Sequence, residues 1–148
     1  MTDRYLQLEQ VARNWMNEIW IKRDFSKFDQ IHHPDFRDLS PAGRESDRQS
    51  YRMGIEEFYT FFPDFKAFVE DIVIDTSKSK VSIRWSANAS HRGKIFGLEP
   101  TFRNIFFQGI EIITINDQGQ ITERWGEWDG LSILEQITRE DGNVHDKS

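Results

Sequence analysis

Two rhythms of apolar residues divide the chain. Over residues 3 to about 22, Tyr5, Leu8, Val11, Ala12, Trp15, Met16, Ile19 and Trp20 recur at three- and four-residue spacing. That spacing predicts an amphipathic helix with Thr2 or Asp3 as its cap. A short second helix is expected next, with Ser26 and Asp29 resembling a capping box, Phe28 and Ile31 facing inward, and His33-Pro34 ending it. Residues 36–39 read as extended and 40–46, SPAGRES, as a loop. Tyr51, Ile55, Phe58, Tyr59 and Phe62 define one side of a third helix over 47–62, closed by Pro63.

From Phe65 the period changes to two. Strands are expected over 65–74, from about 81 to 91, over 103–115, and beyond the turn Asp117-Gln118-Gly119. In the second strand Val81, Ile83, Trp85, Ala87, Ala89 and His91 share an apolar face, and Ser82, Arg84, Ser86, Asn88 and Ser90 are expected to face water. Residues 93–100 read as a loop, 130–137 as a short final helix, and the segment after Arg139 as a loose polar tail. Helices followed by an antiparallel meander predict an α+β domain: a conical barrel of three N-terminal helices packed on a strongly curved, mainly antiparallel sheet. One domain is expected over 1–148, with its core at about 5–137 and its polar tail at 139–148. The helices and the concave sheet face would enclose a cavity.

One residue breaks the pattern. On the third strand Ile105, Phe107, Gly109, Glu111, Ile113 and Ile115 alternate onto one side, so the carboxylate of Glu111 points with the hydrophobes. Burying an ionised carboxylate is costly unless it is paired, protonated or used in a cavity. His91 would meet Glu111 there.

Composition narrows the functional classes. The 148 residues are 37% hydrophobic and 30% charged, with a net charge of -6, which argues against a nucleic-acid partner. No apolar run reaches the length of a membrane span, and the polar start MTDRYLQLEQ predicts no secretory signal. The absence of cysteine excludes disulfides, thiolate nucleophiles and cysteine zinc sites. A cytoplasmic protein is expected. Twelve Phe, five Trp and three Tyr, 14% of the chain, are enough both for a core and for the walls of a pocket that takes a small hydrophobic or aromatic ligand.

The ordered motifs HHPDF (32–36), FPDF (62–65), IRWSANASHRG (83–93), FGLEPTFR (96–103) and ERWGEWD (123–129) resemble the SnoaL-like polyketide cyclases, from about Tyr5 to Ile137. That family lies within the nuclear-transport-factor-2-like superfamily, with the ketosteroid isomerases. The resemblance implies a conical α+β barrel with one deep pocket, and an aldol closure driven by acid and base residues with no metal or cofactor. The column of the cyclase catalytic aspartate falls near Gly126. A cyclase histidine falls on Glu111 and an asparagine on Asp38. The histidine common before the tryptophan of the last motif is Arg124, and the glycine of the usual PTGR loop is Phe102. The isomerases' base and oxyanion-stabilising acid resemble Asp38 and Glu111.

The candidate catalytic residues are therefore Asp38 as a base, Glu111 as an oxyanion stabiliser or proton donor, and His91 or Arg124 as its helper. Trp20, Trp85, Phe107, Trp125 and Trp128 are the candidate substrate walls. Glu111 has a second reading as a structural ion pair with Arg124, and hairpin register decides it. A two-residue turn puts Arg124 on its face, a three-residue turn Trp125. No metal is expected at His32-His33-Asp35, because adjacent side chains diverge. Two functions stay open: a cofactor-independent enzyme acting on small, mostly apolar enolisable carbonyl compounds, or a non-catalytic binding or accessory protein with the same pocket. Phe106, Ile110 and Ile112 on the outer sheet face predict a sheet-to-sheet homodimer.

Overall fold

The computed structural model describes residues 3–140; Thr2 and most of the expected polar tail lie outside them. Helix α1 (Asp3–Trp15) buries Leu8, Ala12 and Trp15, the stripe that the spacing predicts. At Met16–Ile21 the helix widens into a π turn, in which the Lys22 N–H reaches back five residues to the Asn17 carbonyl at 2.8 Å. Such turns rarely extend further and are common at functional sites. Here the widened turn lets the Trp20 carbonyl accept a hydrogen bond from the Tyr59 hydroxyl.

Helix α2 is a single turn, Phe28–Ile31, and carries no side-chain cap, contrary to the capping box expected from Ser26 and Asp29. The chain passes directly from it into β1 (His32–Asp38). Pro34 is tolerated inside β1 because this strand lies at a sheet edge, where a missing N–H removes no ladder bond. His32 is fully buried between the helix and the strand. Its Nδ1 donates to the Phe28 carbonyl at 2.9 Å, leaving Nε2 to accept from the Trp15 indole at 3.0 Å. Helix α3 (Arg48–Phe61) follows.

Strands β2 (Lys66–Asp75), β3 (Lys80–Ser90), β4 (Asn104–Ile115) and β5 (Ile121–Trp128) form an antiparallel meander, and α4 (Gly130–Thr138) ends the described chain. The strand order is β1-β5-β4-β3-β2, with β1 parallel to β5. The sheet is therefore mixed, and it curls without closing, since β1 and β2 remain its edges. Where β5 has ended, α4 takes over the edge of β4. The Gln136 side-chain amide both accepts from Phe106 N–H and donates to Phe106 O, imitating a strand.

The concave face carries the core. Val81, Ile83, Trp85, Ala87 and Ala89 of β3 and Ile105, Phe107, Ile113 and Ile115 of β4 pack against Trp15, Ile19, Ile55 and Phe62. The outer face departs from expectation at two serines. Ser86 and Ser90 are buried rather than wet, because Ser86 donates to Glu70 at 2.6 Å and Ser90 bonds Asp64 and Asn104 at 2.7 and 2.8 Å. No helix among the described residues is long and apolar enough to cross a membrane.

Candidate functional site

The hairpin between β4 and β5 fixes what the sequence left open. Glu111 pairs with Gly126 and Ile113 with Arg124, and a bulge between Thr114 and Ile115 absorbs the extra residue of the turn. Beyond the bulge the even-numbered residues of β5 thus face the concave side, whereas Ile121 before it pairs with inward-facing Ile115. Arg124 and Trp128 point inward, whereas Trp125 pairs with Ile112 on the outer face. Trp125 accordingly does not line the cavity, in correction of its expected place in the wall.

Arg124 meets two carboxylates. Its Nε and Nη2 donate to Glu111 Oε1 and Oε2 at 2.9 and 2.7 Å, a two-point fork. Its Nη1 donates to Asp38 Oδ1 at 3.0 Å and to Ser40 Oγ at 3.2 Å. All three charged groups are buried: Asp38 is 2%, Glu111 5% and Arg124 8% exposed. The Arg124 guanidinium also lies over the Tyr51 ring, 5.1 Å from its centre.

One guanidinium neutralises one carboxylate. With both acids ionised the cluster would hold a buried net negative charge, so its affinity for a proton rises. Burial pushes the Glu111 carboxyl above its ordinary value; Arg124 opposes the shift and the nearby Asp38 and Glu127 charges add to it. Against its own desolvation, the Arg124 guanidinium is held firmly protonated by Glu111, Tyr51 and Asp38.

These groups stand at a cavity of about 490 Å³ lined by Glu111, Arg124, Ser40, Tyr51, Arg44 and aromatic rings, among them Trp20, Phe58, Trp85 and Trp128. Ser40 comes from the hairpin that follows β1 and was not singled out by the sequence, where it reads only as part of a polar loop. Its oxygen accepts from Gly126 N–H at 2.9 Å as well as from Arg124, which leaves its own proton uncommitted in these bonds. The Trp20 indole N–H and the Tyr51 hydroxyl lie close to each other without forming a well-aligned hydrogen bond, and neither has another partner among the described residues. Burial raises the Tyr51 phenol, so it stays protonated and can donate.

Several expected residues lie elsewhere. Asp38 touches the cluster but does not line the cavity; Oδ1 also accepts from Ser40 N–H at 3.0 Å, and Oδ2 has no partner among the described residues. Phe107 is core, wedged against Trp85, Phe58, Phe62 and Phe65 behind the wall. His91 does not reach Glu111's cavity. The row of β3 ends at Ala89, and His91 turns into the following loop, where its N–H donates to Arg103 O and its Nδ1 takes the Thr101 N–H at 3.1 Å. Among the described residues no group of three or more His, Asp or Glu side chains is placed to hold a metal ion.

A family model described as SnoaL-like polyketide cyclase matches residues 10–137. No curated protein matches the chain significantly. The fold is similar to that of a candidate SnoaL-like polyketide cyclase from Jannaschia sp. CCS1, 16% identical, with a TM-score of 0.82 over 95% of this chain and 97% of that one. It is also similar to TsrD from Streptomyces laurentii, 23% identical, TM-score 0.77, over 95% and 100% of the two chains. IdmH, a candidate polyketide cyclase from Streptomyces antibioticus, is 25% identical, TM-score 0.74, over 88% and 98%.

Proposed function

The chain belongs to the SnoaL-like polyketide cyclase family, and from that premise we propose that it is a cofactor-independent enzyme acting on a small, mostly apolar carbonyl compound that can enolise. The observation that supports this most is the place of Glu111, a buried carboxyl on the cavity wall held by Arg124 at 2.9 and 2.7 Å, whose burial raises its proton affinity, beside polar hydrogens with no well-formed acceptor among the described residues. Those are the two needs of enolisation, a base for the proton and donors for the oxyanion.

In this reading Glu111 removes a proton from the carbon next to the carbonyl. The C–H electron pair becomes the carbon–carbon π bond, the carbonyl π pair moves to oxygen, and the Tyr51 hydroxyl, the Trp20 indole N–H and the Ser40 hydroxyl donate to the resulting enolate oxygen. The protonated Glu111 then returns its proton to a different carbon, giving isomerisation, or to the alkoxide formed when the enolate carbon attacks a second carbonyl, giving ring closure. Asp38 acts through Arg124 and Ser40 as a positioning group. Trp85, Phe58 and Trp128 provide apolar walls that exclude water. No step calls for a metal or an organic cofactor.

A second reading, a binding or accessory protein with the same pocket, is favoured by Gly126, which offers no side chain in the cyclase aspartate column. Proton exchange separates the two. In D2O, 2-tetralone is expected to gain deuterium next to its carbonyl faster with the protein than without it, by NMR. Glu111→Gln is expected to abolish the acceleration while ligand affinity is kept. Saturable binding of 2-tetralone with exchange at the buffer rate would favour the binding protein.

A further inference from the structure

The cavity contains a second guanidinium, and nothing among the described residues neutralises it. Arg44 lines the wall opposite the sheet. No carboxylate lies within ion-pair distance of it, no ring lies under it, and its Nε is buried without a partner among the described residues. Glu57 and Glu127 also border the cavity, but both are exposed and neither forms an ion pair with Arg44.

Two features hold this side chain in place. Between Asp38 and Ser46 the chain forms an ordered hairpin, clasped by a 2.8 Å bond from Asp38 N–H to Ser46 O. At its tip Arg44 N–H donates to Pro41 O at 3.1 Å, with Ala42 and Gly43 at φ 53° and 89°. Positive φ at both central residues is the signature of a type I′ turn. The second feature is Gly54, in the middle of α3, where glycine costs a helix about 1 kcal/mol relative to alanine. A β-carbon at position 54 would lie 2.5 Å from Arg44 Cζ and 2.5 Å from Nε. The glycine gives the planar guanidinium a seat against the helix backbone, one turn beyond Tyr51. Half-buried in a largely aromatic cavity, with its Nε unpartnered and no ion pair among the described residues, this cation is open to an anion from outside.

We propose that Arg44 is the receptor for an acidic group on the ligand, so that the pocket takes carboxylate-bearing aromatic or polycyclic molecules rather than their neutral counterparts. This rests on the reading of the cavity as a substrate site and adds the substrate class. The carboxylate would take the outward N–H groups of Arg44, and the ring system would lie toward Trp85 and Phe58. Held at that end, the ligand would present its far portion to Glu111.

Calorimetric titration with 1-naphthoate and with uncharged 1-naphthamide tests this. The wild-type protein is expected to bind the acid at least ten times more tightly than the amide. Arg44→Gln is expected to remove the preference. Gly54→Ala is expected to weaken it without altering charge, by displacing the guanidinium, and is intrinsically a better helix former, so at least one variant should fold. Equal or tighter binding of the amide, a preference that persists in both variants, or failure of the wild type to bind either molecule would overturn the proposal. The preference needs no turnover, so its absence and the absence of proton exchange are separate results.

Discussion

Gly126 and Glu111 occupy one space. They are paired across β4 and β5, and a β-carbon built at position 126 would lie 1.8 Å from Glu111 Oε2 and 2.0 Å from Arg124 Nη2. The forked ion pair thus fills the volume that a side chain at 126 would need. Glycine at position 126 is the condition for this arrangement, and any side chain there must displace one of the two charged groups.

Substitution of that glycine is therefore expected to act against strand propensity. Gly→Ala within a strand ordinarily helps or is neutral, but Gly126→Ala is expected to destabilise by about 1–3 kcal/mol, the range for overpacking a dense interior. Urea unfolding at neutral pH measures this. A midpoint at or above that of the wild type would show that the pair yields easily.

Removing the shared cation should be worse. Arg124→Met leaves Glu111 and Asp38 facing each other without a counter-charge, and breaking a buried pair from one side costs about 3–5 kcal/mol. The loss is expected to shrink as pH falls, because protonation relieves the uncompensated carboxylates. A deficit that stays constant with pH in urea titrations would argue that packing, rather than charge, is what Arg124 supplies.

His32 gives a pH dependence of the opposite sign. Burial lowers its pKa from 6.5 to about 4, so the folded protein binds fewer protons there than the unfolded chain between those values. Stability contributed by the neutral ring is complete above pH 6.5 and is lost as pH falls toward 4, to a total of about 3 kcal/mol. Unfolding of the wild type against His32→Gln over this window should isolate the slope. Parallel curves for the two proteins would contradict the assignment.

Much of this was legible in the sequence, and the failures are instructive. The alternation of β3 and β4 placed Glu111 on the inner face, since a period of two leaves no freedom once the hydrophobes are buried. Arg124 and Trp125 are neighbours and cannot both face inward, so the choice depended on a bulge at Thr114/Ile115 that no composition signals. Ser40 and Arg44 sit in a segment that reads only as loop. Their roles come from a turn and a distant glycine in α3, contacts invisible to local pattern. Extending the alternation of β3 places His91 in the cavity, but the strand ends at Ser90 and His91 turns into the loop toward Thr101.

The outer face bears on assembly. Val73, Ser82, Ile112 and Trp125 form one cross-strand row there, and Val73 is 62% exposed. With Phe106 and Ile110 on the same face, the expected homodimer would cover this stripe. Light scattering at micromolar concentration should give twice the 17.6 kDa chain mass, falling to one in Ile112→Lys. A wild-type monomer would remove the sheet-to-sheet dimer.

Locked onto Arg124 and shadowed by Asp38, the buried Glu111 carboxyl keeps a proton affinity above that of an ordinary glutamate. Titration of the side-chain carboxyl carbons by NMR in protein labelled at glutamate, with Glu111→Gln to assign the resonance, reads this directly. A Glu111 midpoint above 4.5, the ordinary value, is expected, and a midpoint at or below it would remove Glu111 as the base of the proposed enolisation.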